Sequence, residues 1–211
     1  MAAFDHAELI VCDNNSTDRT ATLAREAGAQ VVFERVNQIS RARNTGARAA
    51  RGDWLVFVDA DSYPSPELFL ELRRVIGEGR CLAGGATVTF GDTTPAARLV
   101  VGLWNGISRV TRWAAGSFMF CEARAFREER GFSETLYAAE EIELFARLKR
   151  RARRQGRSIE ILDRHPLLSS DRRVRLTGWS AFMRHAGRAL VTGGRSLRTR
   201  SGAAIWYDGR R

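Results

Sequence analysis

The stretch "WLVFVDADSYPSPELF", Trp54–Phe69, runs five apolar residues into two aspartates one residue apart, and then into the start of a helix. An apolar run of this length bounded by turn residues reads as a strand buried on both faces, as in parallel sheets flanked by helices. Ser65, Pro66 and Glu67 supply a cap, a first-position proline and a first-turn acid for the helix that follows. Two charges at the end of a core strand need a reason. On an extended segment, side chains at i and i+2 point the same way, which would present Asp59 and Asp61 together with α-carbons about 7 Å apart. Such a pair repels unless a cation lies near. Oxygen-only ligands favour a hard divalent ion, Mn2+ or Mg2+, that completes its shell with water and phosphate oxygens. The plainer reading is that Asp61 caps the turn before "SPELF".

Upstream of this stretch, "ELIVCDNN" reads as a strand whose apolar run is Leu9 to Cys12. A helix follows in "STDRTATLAREAG", capped by Ser16 or Thr17 and stopped by Gly28. "AQVVFER" is a second strand and "ISRARNTGARAARG" a second helix, stopped by Gly52. Strand and helix alternate, which predicts an α/β fold: a mostly parallel, Rossmann-like sheet covered by helices. Ligands of such sheets bind beyond the carboxyl ends of the strands, and neighbouring first and third strands would bring Asp13 and Asp59 to one edge. Downstream, "CLAGGATVTFG" is a strand. An amphipathic helix carrying Leu99, Leu103, Trp104, Ile107 and Val110 follows, then "SFMFCEARAF", the helix "AAEEIELFARLKRRARRQG" and a last strand, "SIEILD".

The chain has 211 residues, 44% of them hydrophobic, which suits one α/β domain with a sizeable core. Its net charge of +10 is unevenly placed. From Arg147 onward there are 18 Lys or Arg against 4 Asp or Glu, a balance of +14. We therefore expect a domain over residues 1–165 and a basic helical extension over 166–211. Within the extension, "LTGWSAFMRHAGRALV" places Trp179, Phe182, Met183, Ala186 and Leu190 on one face. That face suits packing on the domain or peripheral contact with an anionic membrane. Cys12, Cys81 and Cys121 are scattered and lack zinc or disulfide spacing, so a reducing, cytoplasmic setting is expected. No signal peptide or spanning helix is expected.

Glu140, Glu141 and Glu143 open the helix that ends in Arg147, Lys149 and Arg150, an order that complements the helix dipole. A carboxylate there can also serve as a general base if it reaches an acceptor hydroxyl. Taken together, "ELIVCDNNSTDRTATLAREAGAQVVFE", "ISRARNTGARAARGDWLVFVDAD", "GSFMFCEARAFREERGFSETLYAAEEIELFARLKRR" and "SSDRRVR" resemble a family 2 glycosyltransferase with the GT-A fold. The resemblance implies an inverting, metal-dependent and non-processive transferase. Such an enzyme moves a sugar from a nucleotide-diphosphate sugar to a lipid-linked or small hydroxyl acceptor.

By the same resemblance, Asp13 contacts the nucleotide base, Arg43 lies on the donor side, Asp59 faces ribose and diphosphate, and Asp61 ligates the metal. Glu140 lies near the acceptor and Glu141 stands at the base position, where the family more often has aspartate. The family's usual first strand and helix have no counterpart in the seven residues before Glu8. That departure leaves open a fragment, or an impaired paralogue that binds nucleotide sugar without turnover. The remote alternative is a basic nucleic-acid-binding module, though the tail has no DNA or RNA motif and its aromatics fall at core spacing; no nucleic acid is expected as a partner.

Overall fold

The computed structural model describes residues 4, 6–91, 95–170, 198, 199 and 201, without the side chains of 95–97. In chain order the elements are β1 (Ile10–Asp13), α1 (Thr20–Glu26), β2 (Gln30–Phe33), α2 (Ile39–Ala49), β3 (Trp54–Val58), β4 (Ser62–Tyr63) and α3 (Pro66–Gly77). They continue with β5 (Cys81–Phe90), α4 (Pro95–Thr111), β6 (Phe118–Glu122), α5 (Ala123–Glu128), α6 (Glu140–Arg154) and β7 (Ser158–Ser169). Local chemistry sets their ends. Ser65 Oγ accepts the Leu68 amide at 3.2 Å, so α3 starts where Ser65 and Pro66 indicate. α1 starts later than expected. Its first amide, from Thr20, goes to Asp18 Oδ1 at 3.0 Å, and neither Ser16 nor Thr17 caps it. Gly28, at φ +82°, supplies the left-handed residue that stops it.

The strands form two ladders. β1 and β2 pair in parallel, and the remaining strands lie in the order β3-β6-β5-β7-β4. The α/β architecture is as expected, and the pairing is more mixed. β5 and β7 run parallel, whereas β3–β6, β5–β6 and β4–β7 run antiparallel. An apolar run is the same in either direction, and the return of the chain through α4 sets the direction of β6.

β3 ends its ladder and is not buried on both faces: Leu55 is 5% exposed, but Val56 is 36% and Val58 40%. β1 lies in the other ladder and does not pair with β3. The two are tied instead through Glu8, whose Oε1 accepts the amides of Arg51 at 2.6 Å and Gly52 at 2.9 Å. β7 runs through residue 165 to Ser169, so the division expected there falls inside a strand. The amphipathic segment with Trp179 and Phe182 lies outside the described residues.

Alternation along β6 builds the core on both faces of the sheet. Met119 and Cys121 join Leu55, Phe126, Phe132, Leu144, Phe145 and Leu148 on the side of α5 and α6. Phe118 and Phe120 join Leu68, Leu72, Val75, Leu162 and Leu167 on the side of α3. A β-carbon at Gly84 of β5 would collide with the Phe120 ring and the Glu160 carbonyl, so glycine there lets the central strands close up.

Candidate active site

The site assembles around Arg43, in the middle of α2. Its side chain is 13% exposed and makes three contacts. Nη1 donates to Glu140 Oε1 at 2.9 Å, while Nη2 donates to Asp59 Oδ1 at 2.9 Å and to the Gly116 carbonyl at 2.8 Å. Its guanidinium carbon also stands 5.4 Å from the centroid of the Phe132 ring. One cation thus joins the residue after β3, the first residue of α6 and the segment before β6. Burial would lower the Arg43 pKa, but Asp59, Glu140 and Glu141 together outweigh it and raise it. The guanidinium is always charged here and acts as a fixed positive centre.

Glu140 and Glu141 differ in what they touch. The Glu140 side chain is 4% exposed and ion-paired to Arg43. Burial raises its pKa against the pull of Arg43. Glu141 accepts a hydrogen bond from its own backbone amide and has no ion pair among the described residues. Burial, then the neighbouring Glu140 charge, push its pKa up to about 7, with Arg43 opposing. A β-carbon on Gly116 would lie 3.4 Å from Arg43 Nη2 and 3.6 Å from the Glu141 carboxyl carbon, so Gly116 keeps the space beside that carboxylate open. Ala139, just before the pair, is held at φ +61°, a left-handed conformation uncommon for alanine that sets the direction in which α6 starts.

Asp59 and Asp61 are not side by side on an extended segment. The Ser62 amide bonds the Asp59 carbonyl at 3.0 Å, so residues 59–62 form a turn. The Asp59 carboxylate goes to Arg43, and the Asp61 carboxylate has no partner among the described residues. Asp61 is fixed through its backbone, whose carbonyl accepts the Ser170 amide at 3.1 Å. Among the described residues, no three His, Cys, Asp or Glu side chains group to hold a metal ion. A hard cation here would rest on Asp61 and complete its shell from water and a ligand's phosphates. The unpaired carboxylate oxygens fit that kind of ion.

Asp13 ends β1 at 9% exposed, with Oδ1 accepting the Ser16 amide at 3.0 Å. No described bond joins Asp13 or Asp61 to the Arg43 cluster. The link from β1 to α6 runs through Asn14, in the polar cluster that ends the first strand, and through Gln38, which sequence reasoning missed together with Asn44. Asn14 donates to the carbonyls of Glu34 and Val36, and its Oδ1 accepts the Gln38 amide at 3.0 Å. Gln38, 1% exposed, donates from Nε2 to the carbonyls of Glu134 at 2.8 Å and Leu136 at 2.9 Å, just before α6. Asn44 clamps both backbone groups of Phe132 at 2.9 Å, fixing the ring beside Arg43. "NQISRARN" signals only a polar helix start. A surface cavity of about 410 Å³ between Arg80, Arg157 and Glu160 lies at the opening ends of β5 and β7, away from this cluster.

The sequence model of the family described as "Glycosyl transferase family 2" matches residues 2–132. The curated relatives include the uncharacterized glycosyltransferase EpsJ of Bacillus subtilis, 37% identical over 70 residues that make up 31% of this chain and 20% of EpsJ. The matches span between 19% and 42% of the length of the curated relatives. Among solved structures, TarS of S. aureus superposes with a TM-score of 0.61 at 20% identity, over 82% of this chain and 55% of that one. Glucosyl-3-phosphoglycerate synthase from Mycobacterium tuberculosis superposes with a TM-score of 0.53 at 20% identity, over 77% of this chain and 60% of that one. That structure is a complex with Mn2+, uridine-diphosphate-glucose and glycerol 3-phosphate. At these identities the likeness is one of fold.

Proposed function

The chain belongs to glycosyl transferase family 2, and from that premise we propose that it moves a sugar from a nucleotide-diphosphate sugar to a hydroxyl acceptor, inverting the anomeric centre. The observation that carries this reading is a carboxylate with a raised pKa and no described ion pair, Glu141, beside a guanidinium that holds Asp59 and Glu140. Glu141 takes the proton of the acceptor hydroxyl as its oxygen attacks the anomeric carbon, and the bond from that carbon to the diphosphate breaks. A carboxyl titrating near neutrality suits that task, because it is free to accept a proton and basic enough to hold it. Arg43 keeps Asp59 and Glu140 in place, Asp13 takes the nucleotide base, and Asp59 faces ribose and diphosphate. A divalent cation held by Asp61 would offset charge on the departing diphosphate. Glu140 and Glu141 lie beyond the residues the family model matches, so their roles rest on the geometry.

The acceptor is proposed to be lipid-linked or small, and transfer single rather than processive. No described helix is long and apolar enough to cross a membrane. The basic sequence that follows β7 is proposed to lie at the cytoplasmic membrane face. A second reading is donor binding without turnover, because Glu141 stands where the family more often has aspartate. The two readings separate in an assay of nucleoside diphosphate release from UDP- and GDP-sugars with Mn2+ and a range of hydroxyl acceptors. Release that needs an acceptor and disappears in Glu141→Gln supports transfer, whereas nucleotide binding with no release supports the second reading.

A further inference from the structure

α4 docks through one face and leaves the other bare. On the docked face, the Asn105 amide pairs with both backbone groups of Val88, accepting at 3.0 Å and donating at 2.8 Å. Ser108 is buried there and bonds the Trp113 carbonyl, while Val101 and Trp104 pack on the core. On the opposite side lie Leu99 at 75% exposed, Val100 at 39%, Leu103 at 64%, Ile107 at 39% and Val110 at 86%. At 100° per residue these five fall within one 100° sector, and from Leu99 to Val110 they extend about 16 Å along the helix. Helical spacing led to the expectation of a core-facing stripe, and Trp104 alone of the residues named for it turns inward.

We propose that this face of α4 seats the protein on an anionic lipid bilayer, with the helix lying in the plane of the headgroups. Charge selects the occupant. α4 has no Asp or Glu, and Arg98 and Arg109 flank the stripe along one side, with Arg112 just beyond its end. Arg109 pairs with Asp163 and Arg112 with Glu160 at 3.6 Å, and Arg112 also donates to the Ile159 carbonyl, yet both side chains stay more than half exposed. Lys149 donates to the Thr111 carbonyl at 2.5 Å, and Arg153 and Arg112 are near enough to help lower its pKa after burial. An apolar stripe bordered by arginines is the pattern of a helix lying at a charged interface. Two-fold antiparallel pairing with a second copy would bring the two arginine flanks together, which disfavours that occupant. The inference rests on the proposed transfer only for its purpose. The segment after α4 carries Gly116 beside Arg43 and Glu141, so a bilayer under α4 brings the acceptor side of the site toward lipid-linked hydroxyls.

The test is flotation of the full chain with vesicles of phosphatidylcholine alone or mixed with phosphatidylglycerol, for wild type and Leu103→Glu/Val110→Glu. Thermal melting and UDP titration accompany it, and both side chains are exposed enough for the variant to fold. The expected result is binding to the anionic vesicles that falls about tenfold or more in the double variant, with melting and UDP affinity unchanged. Arg98→Glu should weaken binding severalfold on anionic vesicles, an effect that salt diminishes. Undiminished flotation of the double variant would overturn the proposal and assign binding to the tail. A chain that ignores vesicles but forms a dimer broken by the double variant would overturn it in favour of a second copy. Loss of UDP binding in wild type would count against the transfer reading and leaves the flotation result to decide this one.

Discussion

At the scale of single residues, Glu141 answers to two opposing demands. Burial and the Glu140 charge favour its neutral form, whereas the proposed proton abstraction needs the ionised one. Its pKa of about 7, raised from 4.5, means that the folded chain holds a proton through a window in which the unfolded chain has lost it. Stability should therefore fall as pH rises through that window and level off above it. Thermal melts across that range should show the fall in wild type and a smaller one in Glu141→Gln. Activity should run the other way, rising with pH through neutrality, and Glu141→Gln should lower kcat by about 10²–10⁴-fold while nucleotide binding survives. Arg43→Ala leaves Glu140 buried with no described counter-charge and should cost about 3 kcal/mol in denaturant unfolding. The low end of the usual range applies because the Asp59 side chain, at 41% exposed, stays partly in water. Asp59, Glu140 and Glu141 were legible as charges at the ends of periodic segments, and Arg43, inside α2, only through the family resemblance. Their convergence on one guanidinium was not, because Arg43 lies 97 residues from Glu140 and no periodicity encodes that contact.

At the scale of elements, the chemistry of helix ends was partly readable. Ser65 caps α3 as its place before Pro66 predicts, and Ser65→Ala should cost about 1 kcal/mol in thermal or denaturant melts. The start of α6 was not readable, because nothing in "YAAEEIE" marks Ala139 as left-handed. Ala139→Gly should relieve that conformation and raise stability by about 0.5 kcal/mol. It should also loosen the placement of Glu140 and Glu141, so kcat should fall as stability rises. β3 shows another limit of the pattern. Its apolar run is what a strand buried on both faces would have, yet Val56 and Val58 are partly exposed, since what packs on each face of a strand is not written in its own residues. α4 shows the same limit from the other side: spacing identifies an amphipathic helix without saying which neighbour covers the apolar face.

At the scale of the whole molecule, the alternation of strands and helices sufficed for an α/β architecture, and the order and direction of the strands had to come from the structure. Two separate ladders place Asp13 on one and Asp59 beside the other, and the Asn14–Gln38 bridge ties the turn after β1 to the segment before α6. Asn14→Ala and Gln38→Ala should each cost about 1–3 kcal/mol, and less than additively together, because each leaves the same bridge broken. A double-mutant cycle in denaturant measures that coupling. If this frame holds a working donor site with a metal at Asp61, calorimetric titration with UDP and GDP, with and without Mn2+, should show nucleotide binding that requires Mn2+ and is lost in a folded Asp61→Ala variant. Absence of binding in a folded wild-type chain, or binding indifferent to both Mn2+ and Asp61, would contradict that proposal.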